Sequence, residues 1–122
     1  MFYRSPVLHG SKDGSKNAYP TINLNPKVLP VDLKQGVYAS KVRIGGKLYL
    51  GAAYFGPRLV KQEQHNVLEI YILDFAEVIY GQVVEFSFEE YVRGVIDFTD
   101  FSELKAQISS DITQIKKIFN VK

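Results

Sequence analysis

A chain of 122 residues, 46% of them hydrophobic, has room for one domain with an ordinary core and little for a second. Fifteen Lys and Arg against 13 Asp and Glu leave a formal charge of +2 with no basic block, which argues against a protein built mainly to hold nucleic acid. The absence of cysteine removes disulfides, thiolate nucleophiles and thiolate metal sites, and no apolar run of about 18 residues offers a membrane span.

Met1 leads straight into Phe2-Tyr3-Arg4-Ser5-Pro6. No basic region, long apolar run and small-residue cleavage site follow in order, so no secretory signal is expected and the cytoplasm is the default location. Residues 2–9 mix aromatic and aliphatic side chains and read as a first strand. His9 to Asn17 is a polar, glycine-punctuated loop that delivers the chain to Pro20. A Walker phosphate loop would need a second glycine five residues beyond Gly10, where Ser15 stands. Lys12, Lys16 and the loop's backbone N–H groups could nonetheless close over phosphates.

In Tyr19-Pro20-Thr21-Ile22-Asn23-Leu24 a proline fixes the backbone and two small polar residues follow at alternate positions. On an extended strand Thr21 and Asn23 project from the same face. Two neutral oxygens side by side suit a hard cation such as Mg²⁺ that also holds phosphate and water. A strand entering a sheet with Thr and Asn facing solvent is the plain structural alternative.

Asn25 to Lys34, with Pro26 and Pro30, is an irregular crossing. Residues 36–44 alternate apolar with polar or small residues and read as a half-buried strand; Gly45-Gly46 signals a two-residue hairpin; Lys47 to Phe55 is the returning strand. Gly56 to Asn66 is a polar loop in which His65 reads as a solvated surface residue. Val67 to Phe75 is a strand with Glu69 inside an otherwise apolar run. A carboxylate there is costly to bury unpaired, so it is either salt-bridged or edge-exposed, or a general base strengthened by apolar walls.

Tyr80-Gly81 gives a turn, Gln82 to Tyr91 a further strand, and Val92 to Thr99 an irregular stretch holding Arg93. Phe101, Leu104, Ile108, Ile112, Ile115 and Phe119 then follow at spacings of three and four, an amphipathic helix. Asp100 with Glu103 resembles a capping box, and Lys116 and Lys117 suit the helix's negative end. About six short strands joined without crossover helices close most simply into a small antiparallel barrel, with the helix packed on it.

The order of these signals is specific. His9-Gly10, Tyr19 to Leu24, Gly36-Val37-Tyr38-Ala39, Leu68 to Phe75, Tyr80-Gly81 and the Phe101-to-Ile112 helix together resemble the riboflavin kinase domain, over nearly the whole chain. That domain occurs alone in many eukaryotes and as the C-terminal half of a bifunctional bacterial enzyme. The resemblance implies an all-β fold, a six-stranded antiparallel Greek-key β-barrel with a C-terminal α-helix, spanning residues 1–122 as one domain. It implies phosphorylation of riboflavin at the ribityl 5′-hydroxyl by Mg-ATP, giving FMN and ADP. Thr21 and Asn23 would hold Mg²⁺ with the phosphates, and Glu69 would accept the proton of the attacking hydroxyl. His9, Gly10, Lys12, Lys16, Tyr19 and Pro20 would line the nucleotide side with Thr21 and Asn23. Arg93 and Phe98 would join Glu69 on the flavin side. A cytoplasmic monomer that binds neither nucleic acid nor membrane is expected.

Several positions depart from the family pattern. Lys12-Asp13-Gly14-Ser15 stands where bacterial members carry a Gly-Arg-Gly-Arg-like run, and Ala18 where a glycine is usual. Val95 replaces an acidic residue two positions after Arg93, and Tyr54-Phe55-Gly56 replaces Asn-Ile-Gly. Altered substrate affinities with retained chemistry are the expectation, with Lys12 or Lys16 replacing an arginine as a point charge. The adenylyltransferase half of the bifunctional enzyme is not present in this sequence, so FAD formation by that route is not expected. Two other readings carry different signatures: a flavin- or nucleotide-binding barrel without turnover, and a barrel whose eight Tyr and eight Phe stack on single-stranded nucleic acid.

Overall fold

The computed structural model describes residues 1–9, 21–57, 65–75, 77–96 and 100–121. Its strands are β1 (Tyr3–Pro6), β2 (Ile22–Leu24), β3 (Gly36–Ile44), β4 (Lys47–Pro57), β5 (Asn66–Ile72) and β6 (Val83–Arg93), followed by a helix α1 (Phe101–Ile118). All strand pairs are antiparallel, in the order β1-β6-β3-β4-β5-β2. Three consecutive strands with a later one returned beside the first of them make the Greek key. The two edges meet as well. Leu8 pairs with Asn23 and donates its N–H to the Asn23 carbonyl at 2.7 Å, and the Asn25 N–H donates to Ser5 Oγ at 2.9 Å. The sheet is thereby curled into a nearly closed barrel, which leaves little unpaired edge.

Local sequence explains the joints. Gly45 and Gly46 both take positive φ, 55° and 83°, as the tight β3–β4 hairpin requires. Asp100 caps α1 by accepting from the Glu103 N–H at 3.0 Å, and Lys116 and Lys117 occupy the last turn. Asn120, at φ 57°, ends the helix in a Schellman turn, with Val121 donating to the Lys116 carbonyl and Asn120 to that of Lys117.

Side chains alternate between two environments. Tyr38, Val42, Phe55, Leu68, Ile70 and Phe86 fill the barrel interior. Val37, Ala39 and Ala52 face outward and are buried beneath Ile115 of α1. Strand β3, expected to be half-buried, is therefore covered on both faces, because small outward residues let the helix lie close against it. Other boundaries differ from the sequence reading in ways the backbone explains. The first strand stops at Pro6, with Leu8 contributing a single bridge. Strand β5 ends at Ile72, since Asp74 turns the chain with φ 59°. Strand β6 runs on through Arg93, because register shifts against β3 at Val37/Tyr38 and Ala39/Ser40 absorb its extra residues. No helix among the described residues is long and apolar enough to cross a membrane.

Candidate functional site

The register of the barrel decides which polar groups meet. Asn23 on β2 is the direct partner of Glu69 on β5, and Glu69 is the direct partner of Tyr54 on β4. Tyr54 in turn faces Val37 on β3, and Val37 faces Arg93 on β6. Leu24, Leu68 and Ile70 point into the barrel, so the alternation of an extended chain sends Asn23 and Glu69 outward. Asn23, Glu69, Tyr54, Val37 and Arg93 thus form one lateral row across five strands on the outer face. Thr21, two residues before Asn23, extends the polar end of the row. Thr21, Asn23 and Glu69 are all half-buried.

At the other end, Arg93 is held firmly. Its Nε and Nη2 donate to the two carboxylate oxygens of Asp111, both at 2.8 Å, and Nη1 donates to the Gly94 carbonyl at 2.9 Å. Gln107 supplies a further donor to Asp111 at 3.0 Å. Asp111 is 2% exposed, so this fork anchors α1 to the end of β6. Between the two ends, burial pushes the Tyr54 phenol up to about 12; the Arg93 charge opposes that rise and the Glu69 charge reinforces it. Tyr54 therefore stays a neutral hydroxyl, donating to the Pro57 carbonyl.

His9 lies just past the Leu8–Asn23 bridge with its ring stacked on Tyr80, centroids 4.1 Å apart. It therefore sits near the polar end of the row. Gly10, Lys12, Lys16, Tyr19, Pro20 and Phe98, the other residues expected to line the nucleotide and flavin sides, lie outside the described residues. His65 is exposed, as expected.

The donor set fits a hard cation that brings most of its own ligands. Among the described residues no group of three or more His, Cys, Asp or Glu could cage a metal. Thr21, immediately before β2, and Asn23 within it offer neutral oxygens two residues apart, a partial shell of the kind that phosphate and water complete around Mg²⁺.

Two residues of this face escaped the sequence reading. Asp111 falls seven positions after Leu104 and four before Ile115, on the apolar stripe of the helix. A carboxylate there demands a buried partner, and that demand was the available signal. Tyr54 registered as a departure in a hairpin strand, and its place beside Glu69 needed the strand register.

The family model described as Flavokinase, riboflavin kinase, matches residues 1–119. A Haemophilus influenzae protein described as bifunctional riboflavin kinase/FMN adenylyltransferase is 39% identical over 117 residues, covering 93% of this chain and 37% of that protein. The chain thus spans a little over a third of that relative's length. Riboflavin kinase from Trypanosoma brucei superimposes with a TM-score of 0.64 at 25% identity, over 98% of this chain and 79% of that one. A Streptococcus pneumoniae structure described as a macrolide-efflux protein gives a TM-score of 0.79 at 27% identity, over 95% of this chain and 38% of that one. With the family match running along almost every residue of the barrel and its helix, the chain belongs to the riboflavin kinase family.

Proposed function

We propose that this chain transfers the γ-phosphoryl group of ATP to the ribityl 5′-hydroxyl of riboflavin, giving FMN and ADP. The observation that carries the reading is the register setting Glu69 directly opposite Asn23, with Thr21 two residues away. Phosphoryl transfer needs positioning and charge neutralisation more than covalent help from the protein. Thr21 and Asn23 would hold Mg²⁺ together with the phosphates, and that ion supplies the neutralisation. Glu69 accepts the proton of the attacking hydroxyl as the new P–O bond forms and the bond to the β-phosphate oxygen breaks, releasing ADP. His9, Gly10, Lys12, Lys16, Tyr19 and Pro20 belong to the nucleotide side of the same reading, and Phe98 to the flavin side. Arg93 has its guanidinium committed to Asp111 and the Gly94 carbonyl. It belongs with Phe98 to the flavin side of the reading, and its grip also holds the backbone at Gly94.

The same reading includes a monomer working in the cytoplasm and binding no nucleic acid. Tyr38 stacks on Phe88 and packs with Phe86 in the barrel, which takes those rings away from any base-stacking face.

The test is incubation of the purified protein with riboflavin and Mg-ATP, following FMN by chromatography, with Glu69→Gln in parallel. FMN from the parent, with a variant that binds flavin and barely turns over, supports both the reaction and the base. A parent that binds flavin and makes no FMN with any nucleotide or metal overturns the kinase reading in favour of a binding domain.

A further inference from the structure

The two side chains assigned to the metal sit at the least supported strand of the barrel. Strand β2 is three residues long, stands at the end of the sheet order and is paired along its length with β5 alone. The bridge to Leu8 adds one contact, at Asn23. Thr21 lies one residue before the ladder, which ends at the pair of Ile22 with Ile70. Backbone pairing therefore fixes Asn23 and leaves the placement of Thr21 to side chains.

Continued by one residue, the same register sets Thr21 opposite Tyr71 of β5. Thr21 is two residues from Asn23 and Tyr71 two residues from Glu69, so both fall on the outer face, and both are half-buried. An aromatic ring and a β-branched side chain directly opposite each other on neighbouring strands form a favourable pair. Tyr71 also has firm backing. It is the partner of Ala52 on β4, and it packs on the cluster of Val37, Ala39, Ala52 and Ile115 beneath α1. The small residues Ala39 and Ala52 let the helix lie close to the sheet, and Tyr71 carries that packing across β5 toward the start of β2.

We propose that Tyr71 is a positioning residue for the phosphate end of the row: its ring, seated on the helix cluster, backs Thr21 and keeps the Thr21 hydroxyl at the spacing from Asn23 that Mg²⁺ and phosphate require. The inference rests on the kinase reading and adds to it the side chain that holds one of the two metal donors in place. A donor displaced by about 1 Å loses much of its value in a site that works by geometry. The ring performs this task, so phenylalanine serves at the position and alanine does not. Glu69 is set by its own ladder pairs with Asn23 and Tyr54, so acceptor binding is left alone.

The test uses the full chain and compares the parent with Tyr71→Ala, Tyr71→Phe and Val92→Ala. Val92 packs on the same cluster from β6, at the far side of β3 and β4 from β5, and controls for loosened packing of α1. Mg-ADP binding is read by calorimetry, riboflavin binding by fluorescence without nucleotide, and turnover as FMN formed from riboflavin and Mg-ATP. Tyr71→Ala is expected to raise the Mg-ADP Kd, the ATP KM and the Mg²⁺ concentration for half-maximal activity about fivefold or more, with the riboflavin Kd within about twofold of the parent. Tyr71→Phe should stay within about twofold of the parent in all of these. Val92→Ala should lower the melting temperature and leave the Mg-ADP Kd at the parent's value. An unchanged Mg-ADP Kd in Tyr71→Ala, an equal rise in Val92→Ala, or a phenylalanine variant as damaged as the alanine one would overturn the proposal. The two readings fail separately. A parent that binds Mg-ADP and makes no FMN sinks the kinase while calorimetry still decides Tyr71, and a parent that binds no Mg-nucleotide sinks both.

Discussion

Arg93 grips Asp111 through two parallel 2.8 Å bonds, Nε to one carboxylate oxygen and Nη2 to the other, and so fastens the C-terminal helix to the last strand. The pair is well desolvated, with side-chain exposures of 14% for Arg93 and 3% for Asp111. Gln107 and the Gly94 carbonyl satisfy further hydrogen-bonding groups of the two side chains. Such a pair is costly to break from one side, because the remaining charge stays buried without its partner.

Asp111→Ala is therefore expected to lower unfolding free energy by about 3–5 kcal/mol, measured by urea denaturation. Arg93→Lys should also destabilise, since an ammonium cannot reproduce the fork. The double variant Arg93→Met/Asp111→Leu should lose clearly less than the sum of Arg93→Met and Asp111→Leu measured singly, as coupled partners do. Additive losses would mean that the fork contributes little and that helix packing alone holds α1.

Tyr54 provides a pH signature that can be separated from other groups. Its folded-state pKa is raised by burial to about 12, from 10.0 for an unperturbed phenol. A raised pKa contributes stability that is fully present below pH 10 and lost as pH climbs toward 12, because the unfolded chain gives up the proton first. Parent and Tyr54→Phe should differ most in stability below pH 10, and their difference should shrink between pH 10 and 12. Thermal denaturation of both proteins across that range is the measurement. Parallel curves would show that the phenol titrates alike in the folded and unfolded chains.

Much of this fold can be read from local chemistry. Gly45-Gly46 needs positive φ, Asp100 needs an N–H to cap, and the Leu104-to-Phe119 spacing needs a surface to cover, so each element announces itself within a few residues. Glu69 also stood out, as a carboxylate among apolar neighbours. The rest depends on pairing between distant strands. Asn23 and Glu69 lie 46 positions apart in sequence, and nothing near either one says that they are partners. Arg93 reads as a loop residue because the irregularity of β6 is resolved by its register shifts against β3. The small residues Ala39 and Ala52 read as neutral filler in an alternating strand, yet they are what allows α1 to cover the outer face.

Asn23→Ala should separate the two ends of the lateral row. Its backbone pairing with Leu8 and Glu69 survives the change, so the barrel should remain closed. The loss falls on the side-chain oxygen beside Thr21. The ATP KM and the Mg²⁺ concentration for half-maximal activity are expected to rise by about tenfold or more, with riboflavin binding by fluorescence unchanged. A rise in riboflavin Kd with an unchanged Mg²⁺ requirement would reverse the assignment of the two sides.

The last prediction concerns Gly36, where the backbone leaves no room. A Cβ at Gly36 would lie 2.2 Å from the Arg93 carbonyl oxygen and 2.8 Å from Tyr91 Cε1, and φ is 149°. Gly46 makes a useful contrast, since its φ of 83° is also positive and nothing lies within 4 Å of a Cβ built there. Gly46→Ala tests backbone strain alone and should cost about 1–2 kcal/mol. Gly36→Ala adds a collision with the carbonyl of the residue that holds Asp111, so β6 must shift and the fork must loosen with it. It should destabilise by more than Gly46→Ala, and combining it with Asp111→Ala should cost less than the two changes separately. Equal destabilisation by the two glycine variants, with additivity toward Asp111→Ala, would mean that the end of β6 can move without disturbing the anchor of the helix.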